Sequence, residues 1–125
     1  VFAPEEIFQS FIDQTTEVIG PLRESKGDYD KNYLTFILTN GNLMYAVQGG
    51  QPLFFSTHKK RCSERDSCSF YHSLCEKKAQ MGDQVHHLLI SSEVIKNENI
   101  WTSLPFGACV GVDHHFNLSE IKLKV

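Results

Sequence analysis

Asn40-Gly41 stands between two apolar runs, Tyr33 to Leu38 and Leu43 to Val47. No other feature of the chain constrains its fold as much. Both central positions of a type I′ turn need positive φ, which Asn and Gly tolerate best, so the spacing predicts an antiparallel hairpin. The first run carries little polarity on either face and is expected to be a central strand covered on both sides. Gly49-Gly50 predicts a second turn and Leu53 to Ser56 a third strand. Residues 33–56 are thus expected to form a three-strand antiparallel meander.

Upstream, residues 4–24 carry a helical pattern. Pro4 suits the first helical position, and Glu5 and Glu6 suit the positive end of the helix dipole. Ile7, Phe8, Phe11, Ile12, Val18, Ile19 and Leu22 recur at helical spacing as one broad apolar stripe. Gly20-Pro21 predicts an end near residue 19, or a kink with continuation through Leu22, because proline removes a helical hydrogen bond. Glu24 to Lys31 reads as a polar loop. Beyond the meander, Thr57 to Gly82 has no clean period, and 57–84 is expected to be a surface insertion, with room for a short helix around Phe70 to Ala79. Strand character resumes at Val85 to Ser91. Ser92 to Pro105 reads as a polar loop, Cys109 to Val112 as a strand, Asp113 to Asn117 as a turn and Leu118 to Val125 as a last strand. This order predicts an α+β fold in one segment, residues 1–125, with an amphipathic helix packed on an antiparallel sheet.

The formal charge of −3 over 125 residues supplies no electrostatic pull toward nucleic acid or an anionic membrane, and neither is expected as a partner. No apolar run approaches the roughly 18 residues of a membrane-spanning helix. Val1 opens into an acidic segment that does not read as a signal peptide. Cys62, Cys68, Cys75 and Cys109 are even in number, as two disulfides would require. Nothing else points to secretion, and reduced thiols in a cytoplasmic protein are expected.

Three segments, in order, resemble one family. Tyr33-Leu-Thr-Phe-Ile-Leu-Thr-Asn-Gly-Asn-Leu-Met-Tyr-Ala-Val47 resembles a strand, Asp/Asn-Gly turn and return strand. Leu88-Leu-Ile-Ser-Ser-Glu-Val-Ile-Lys-Asn-Glu-Asn-Ile-Trp101 resembles an Ala-Ser-Glu-Pro-Leu pattern with a polar spacer and a tryptophan. Leu104-Pro-Phe-Gly-Ala-Cys-Val-Gly-Val112 is similar to a Val-Pro-x-Gly turn and closing strand. Together they resemble the C-terminal half of a class II, N-terminal-nucleophile glutamine amidotransferase domain. The likeness is nearest to the branch acting on γ-glutamyl compounds, and covers most of the chain outside 57–84. It implies the second half of an αββα sandwich, whose sheet would stack on one supplied by the N-terminal half. That half would be the partner, and a glutamine or γ-glutamyl amide the substrate. An isolated chain would then show an uncovered apolar sheet face.

The family's nucleophile is an N-terminal Cys. Its own α-amine, with a pKa of about 7.7–8, acts as general base, and attack on the side-chain amide gives a thioester and ammonia. Here the first residue is Val1, and an internal cysteine lacks the free amine. The family's substrate-holding Arg and oxyanion Asn-Gly also belong to the earlier half; Asn40-Gly41 is not that pair. The resemblance therefore implies no catalytic residue in this chain. It implies pocket support from Ser92 and Glu93, although Val94 replaces the family's proline. The same pocket support includes Trp101, which is expected to act as a packing anchor more than as a ligand platform.

No cofactor is expected. Cys62, Cys68 and Cys75 with His58 and His72 suggest a zinc site by composition, but the Cys-x5-Cys and Cys-x6-Cys spacings match no usual pattern. These thiols are expected to face solvent. His86-His87 and His114-His115 are expected to be structural, since adjacent strand residues face opposite ways. Cys109 reads as a small buried residue. Lys59-Lys60-Arg61 reads as a solvated loop. Two other readings stand beside the amidotransferase half: a stand-alone, non-catalytic α+β interaction module, and a zinc-dependent binding domain centred on 58–75.

Overall fold

The computed structural model describes residues 3–24 and 32–125, so most of the expected loop at 24–31 lies outside the described residues. The fold is α+β, with one helix and two antiparallel sheets among the described residues. Helix α1 spans Pro4–Ile19. Pro4 opens it and Glu5 and Glu6 occupy its first turn, as the dipole favours. It stops at Gly20, whose φ of 91° leaves the helical region while its N–H still reaches the Thr16 carbonyl at 2.8 Å. The apolar stripe is narrower than its sequence suggests. Phe8 and Ile12 are buried; Ile7 and Phe11 are half-exposed and Val18 is 85% exposed.

The first sheet holds β1 (Phe36–Thr39), β2 (Met44–Val47), β6 (Ala108–Val112) and β7 (Leu118–Lys122), in that order. The second holds β3 (Phe54–Ser56) between β4 (Leu89–Ser91) and β5 (Thr102–Ser103). The hairpin at Asn40-Gly41 is present but wider than a two-residue turn. Pairing ends at Thr39 and Met44. Asn40 Oδ1 accepts the N–H groups of Asn42 and Leu43 at 2.9 and 3.1 Å, and only Gly41 adopts positive φ. The asparagine is used for its side-chain acceptor rather than for left-handed backbone.

Two expectations are corrected here. β1 is an edge strand, not a central one, with Ile37 and Leu38 each 49% exposed. The meander breaks after β2, because β3 crosses to the second sheet. The place beside β2 goes to β6, whose five residues are all buried and which satisfies the inner edge of β2 over four pairs. A strand apolar on both faces gains most from a site covered on both faces.

The core lies on the two faces of the first sheet. Phe8 and Ile12 of α1 pack on Tyr45, Val47 and Cys109 on one face. Ala46, Val110, Val112 and Leu118 on the other meet Leu53 and Leu104, with Phe55 and Ile90 partly buried against them. The apolar face expected to be bare is therefore covered by the chain's own second sheet. Exposed apolar side chains are spread over the surface and include Ile37 and Leu38 at the β1 edge and Ile7, Phe11, Val18 and Ile19 on α1.

The insertion also differs from expectation. It holds one 3₁₀ turn, Ser73–Glu76. Its last residues run beside the start of β7: Gly82 N–H donates to the Leu118 carbonyl, and Leu118 N–H to that of Asp83. Cys62 and Cys75 are buried rather than solvent-facing.

Candidate functional site

Ser92 and Glu93 follow β4 directly and are exposed. Ser91 Oγ accepts the Glu93 N–H at 3.2 Å and donates to the Glu93 carbonyl at 2.6 Å, so a local turn ends the strand. Trp101 is half-buried, and its indole N–H donates to the Ile95 carbonyl at 3.0 Å, closing the loop from 95 to 101 that follows Glu93. Ser92 stands at the rim of a groove of about 360 Å³ lined also by Thr35, Ile37, Leu53, Ile90 and Ser91. This groove joins the β1 edge of the first sheet to the β4 edge of the second.

The insertion is ordered by two carboxylates. Glu76 accepts the Tyr71 hydroxyl on Oε1 and the Cys62 N–H on Oε2 at 2.6 Å, with the Arg65 guanidinium 3.6 Å away. Glu98 accepts the Ser63 N–H at 2.8 Å and pairs with Lys59 Nζ at 2.9 Å. Lys59, expected to be a solvated loop residue, is thus a structural cation. The Tyr71 hydroxyl, then the Cys62 N–H, hold the Glu76 carboxyl below its usual range; Lys59 and then Ser63 do the same for Glu98. A depressed folded pKa adds stability above the ordinary carboxylate value of about 4.3, and that stability is lost as pH falls through the folded value. The Cys62 and Ser63 amide protons should therefore shift together on acidification below the ordinary carboxylate value, before the sheet unfolds. NMR titration checks this. Midpoints at or above the ordinary value would show that the two carboxylates do not hold the loop.

The zinc reading is not assembled. Cys62, Cys68, Cys75 and Cys109 are free thiols. Among the described residues, no three His, Cys, Asp or Glu side chains come together as a metal site. His72 Nδ1 is instead occupied as an acceptor from the Leu74 N–H at 3.1 Å, capping the 3₁₀ turn. Cys109 has no exposed surface, and burial pushes its thiol up to about 12, so it has no nucleophilic role in the folded protein.

The histidines were the feature that residue-by-residue reading missed. His86 and His87 diverge in the irregular segment just before β4. His86 is exposed, while His87 turns inward and its pKa is lowered by burial and by Lys59. Yet His72, His86, His114 and His115, from three segments, line one groove of about 540 Å³ with Leu74, Gln84, Val85 and Phe116. The only sequence signal was the repeated doublet. Convergence needed the insertion to fold back beside the β6–β7 turn.

No protein-family model, curated protein or solved structure matches this chain. Among the described residues, no helix is long and apolar enough to cross a membrane.

Proposed function

We infer that this chain is the C-terminal half of a class II glutamine amidotransferase domain, the second half of an αββα sandwich. It acts with the N-terminal half of the same domain, on the same or a separate chain, which supplies the catalytic Cys and the glutamine or γ-glutamyl site. The observation that carries this reading is the seam at Ser92. The two sheets stack, and their open edges, β1 and β4, flank one groove whose rim is the Ser-Glu segment that resembles the family's. Among the described residues no strand pairs with the outer edge of β1, and Phe36-Ile37-Leu38-Thr39 carries none of the lysine or proline that blunts exposed edges. An added strand there would place the partner's residues against Ser92 and Glu93, which would support the pocket wall. Three buried, unpaired cysteines, Cys62, Cys75 and Cys109, suit a reducing, cytoplasmic setting.

A stand-alone, non-catalytic interaction module is the second reading. The observation that favours it is the coverage of both faces of the first sheet by the chain itself. Intact mass of the protein from its native source separates the two. A mass about twice 14.2 kDa, or a co-purifying chain that begins with Cys, is the expected result, and glutaminase activity should accompany that assembly. A lone species near 14.2 kDa would sink the half-domain reading and leave the module.

A further inference from the structure

Four imidazoles meet where the insertion folds back on the β6–β7 turn, beyond the start of β4 and so at the opposite end of that strand from Ser92. His72 and His86 stack with ring centroids 5.5 Å apart and planes 12° from parallel; the His114 and His115 rings lie 3.9 Å apart. The floor is partly apolar, from Leu74, Val85 and Phe116. A second groove of about 240 Å³ shares Leu74, Gln84 and Val85 with the first and adds Lys77, Lys78 and Asp83. The combined space is of the size that small ligands use.

The tautomer of His72 decides what kind of ligand fits. Its Nδ1 lone pair is taken by the Leu74 N–H. In the neutral ring the proton must then sit on Nε2, which leaves a donor and no lone pair for a metal. The near-parallel planes of His72 and His86 also keep their nitrogens from converging on one ion. The polar partners point the same way. Of the two carboxylates nearby, Asp83 accepts the Gln80 N–H at 2.9 Å. Asp113 accepts the His115 and Asn117 N–H groups at 2.8 and 3.0 Å. Both carboxylates bond their own backbone, and the two cations Lys77 and Lys78 match their charges. Lys77, Lys78 and four imidazoles remain as donors, on a protein whose formal charge is −3.

We propose that this groove binds the phosphate or carboxylate group of a small organic anion, held by His72, His86, Lys77 and Lys78, with His114 and His115 closing the far wall. The site is independent of the amidotransferase reading and stands if that reading fails.

The test is a titration of the full chain with inorganic phosphate and, separately, succinate, at constant ionic strength set by chloride and at about pH 6.5. Imidazole resonances are followed by long-range ¹H–¹⁵N correlation. The expected result is saturable shifts at His72 and His86 with one or both anions. His86→Gln and Lys78→Ala should each weaken binding about five-fold or more, while melting at the wild-type temperature. Tighter phosphate binding would assign a phosphorylated ligand, and tighter succinate binding a carboxylate. Shifts that follow ionic strength alone, or affinities unchanged in both variants, would overturn the proposal.

Discussion

Gly49→Ala should leave a chain that does not fold cooperatively. A Cβ on Gly49 would lie 1.9 Å from the Leu34 carbonyl oxygen and 2.5 Å from its carbon. These are backbone atoms of the segment entering β1, so no rotamer change relieves the contact. The same segment is bonded to Gly49: the Leu34 N–H donates to the Gly49 carbonyl at 2.9 Å, and Thr35 Oγ1 accepts the Gly49 and Gln51 N–H groups, each at 3.1 Å. Parting the two strands by the distance a methyl needs would break all three bonds. The expected cost exceeds about 4 kcal/mol, the range reserved for backbone clashes and lost networks. That is most of the stability a small domain has. Gly41→Ala is the comparison. Nothing lies within 4 Å of its Cβ, so it should cost only the strain of its φ of 91°, about 1–2 kcal/mol. Circular-dichroism melting of the two variants decides the matter. A sharp transition for Gly49→Ala within a few degrees of wild type would mean that the close approach at Leu34 is not a constraint.

Ile12→Ala should have the next largest effect, a loss of about 2–5 kcal/mol. Ile12 is 1% exposed, and its side chain belongs to the cluster that joins α1 to Tyr45, Val47 and Cys109. No strand of the first sheet can move toward the vacated space without breaking its ladder, so the cavity stays open and the cost sits in the upper part of that range. Val18→Ala removes a side chain of the same helix that is 85% exposed, and it should change stability by less than about 0.5 kcal/mol. Denaturant midpoints with unchanged slopes would report both values. A loss below about 1 kcal/mol for Ile12→Ala would show that the helix is not held by this face.

What could be read from the residues divides along the range of the interactions. Pro4, the paired glutamates and Gly20-Pro21 bound α1 correctly, because caps and breakers act within one turn. Asn40-Gly41 marked its hairpin, and the burial of Cys109 followed from the apolar run around it. The errors lie where a choice of partner decided the outcome. The run at Tyr33 to Leu38 looked central, but β6 took the inner place and left β1 at the edge. Leu53 to Ser56 looked like the return strand of a meander, yet its mates come from residues 89–91 and 102–103. The insertion looked shapeless because its order comes from Glu76 and Glu98 binding backbone N–H groups, and composition does not reveal those donors. The histidine groove was hidden for a related reason. Its members are separated by a fold-back that only tertiary structure supplies.

The topology also sets the order in which the polypeptide can become stable during synthesis. The inner edge of β2 is complete by residue 47, but β6, its partner, is not made until residue 112. For that whole interval a nascent chain carries Ala46 and Val47 on a hairpin with no second neighbour. An isolated hairpin is marginal in water, and long-range pairing of this kind slows folding and prolongs exposure of apolar edges. Closure of the first sheet thus waits for residues 108–122. A chain held on the ribosome before Ala108 would display sticky edges, and only once residues 108–122 have emerged can the first sheet close.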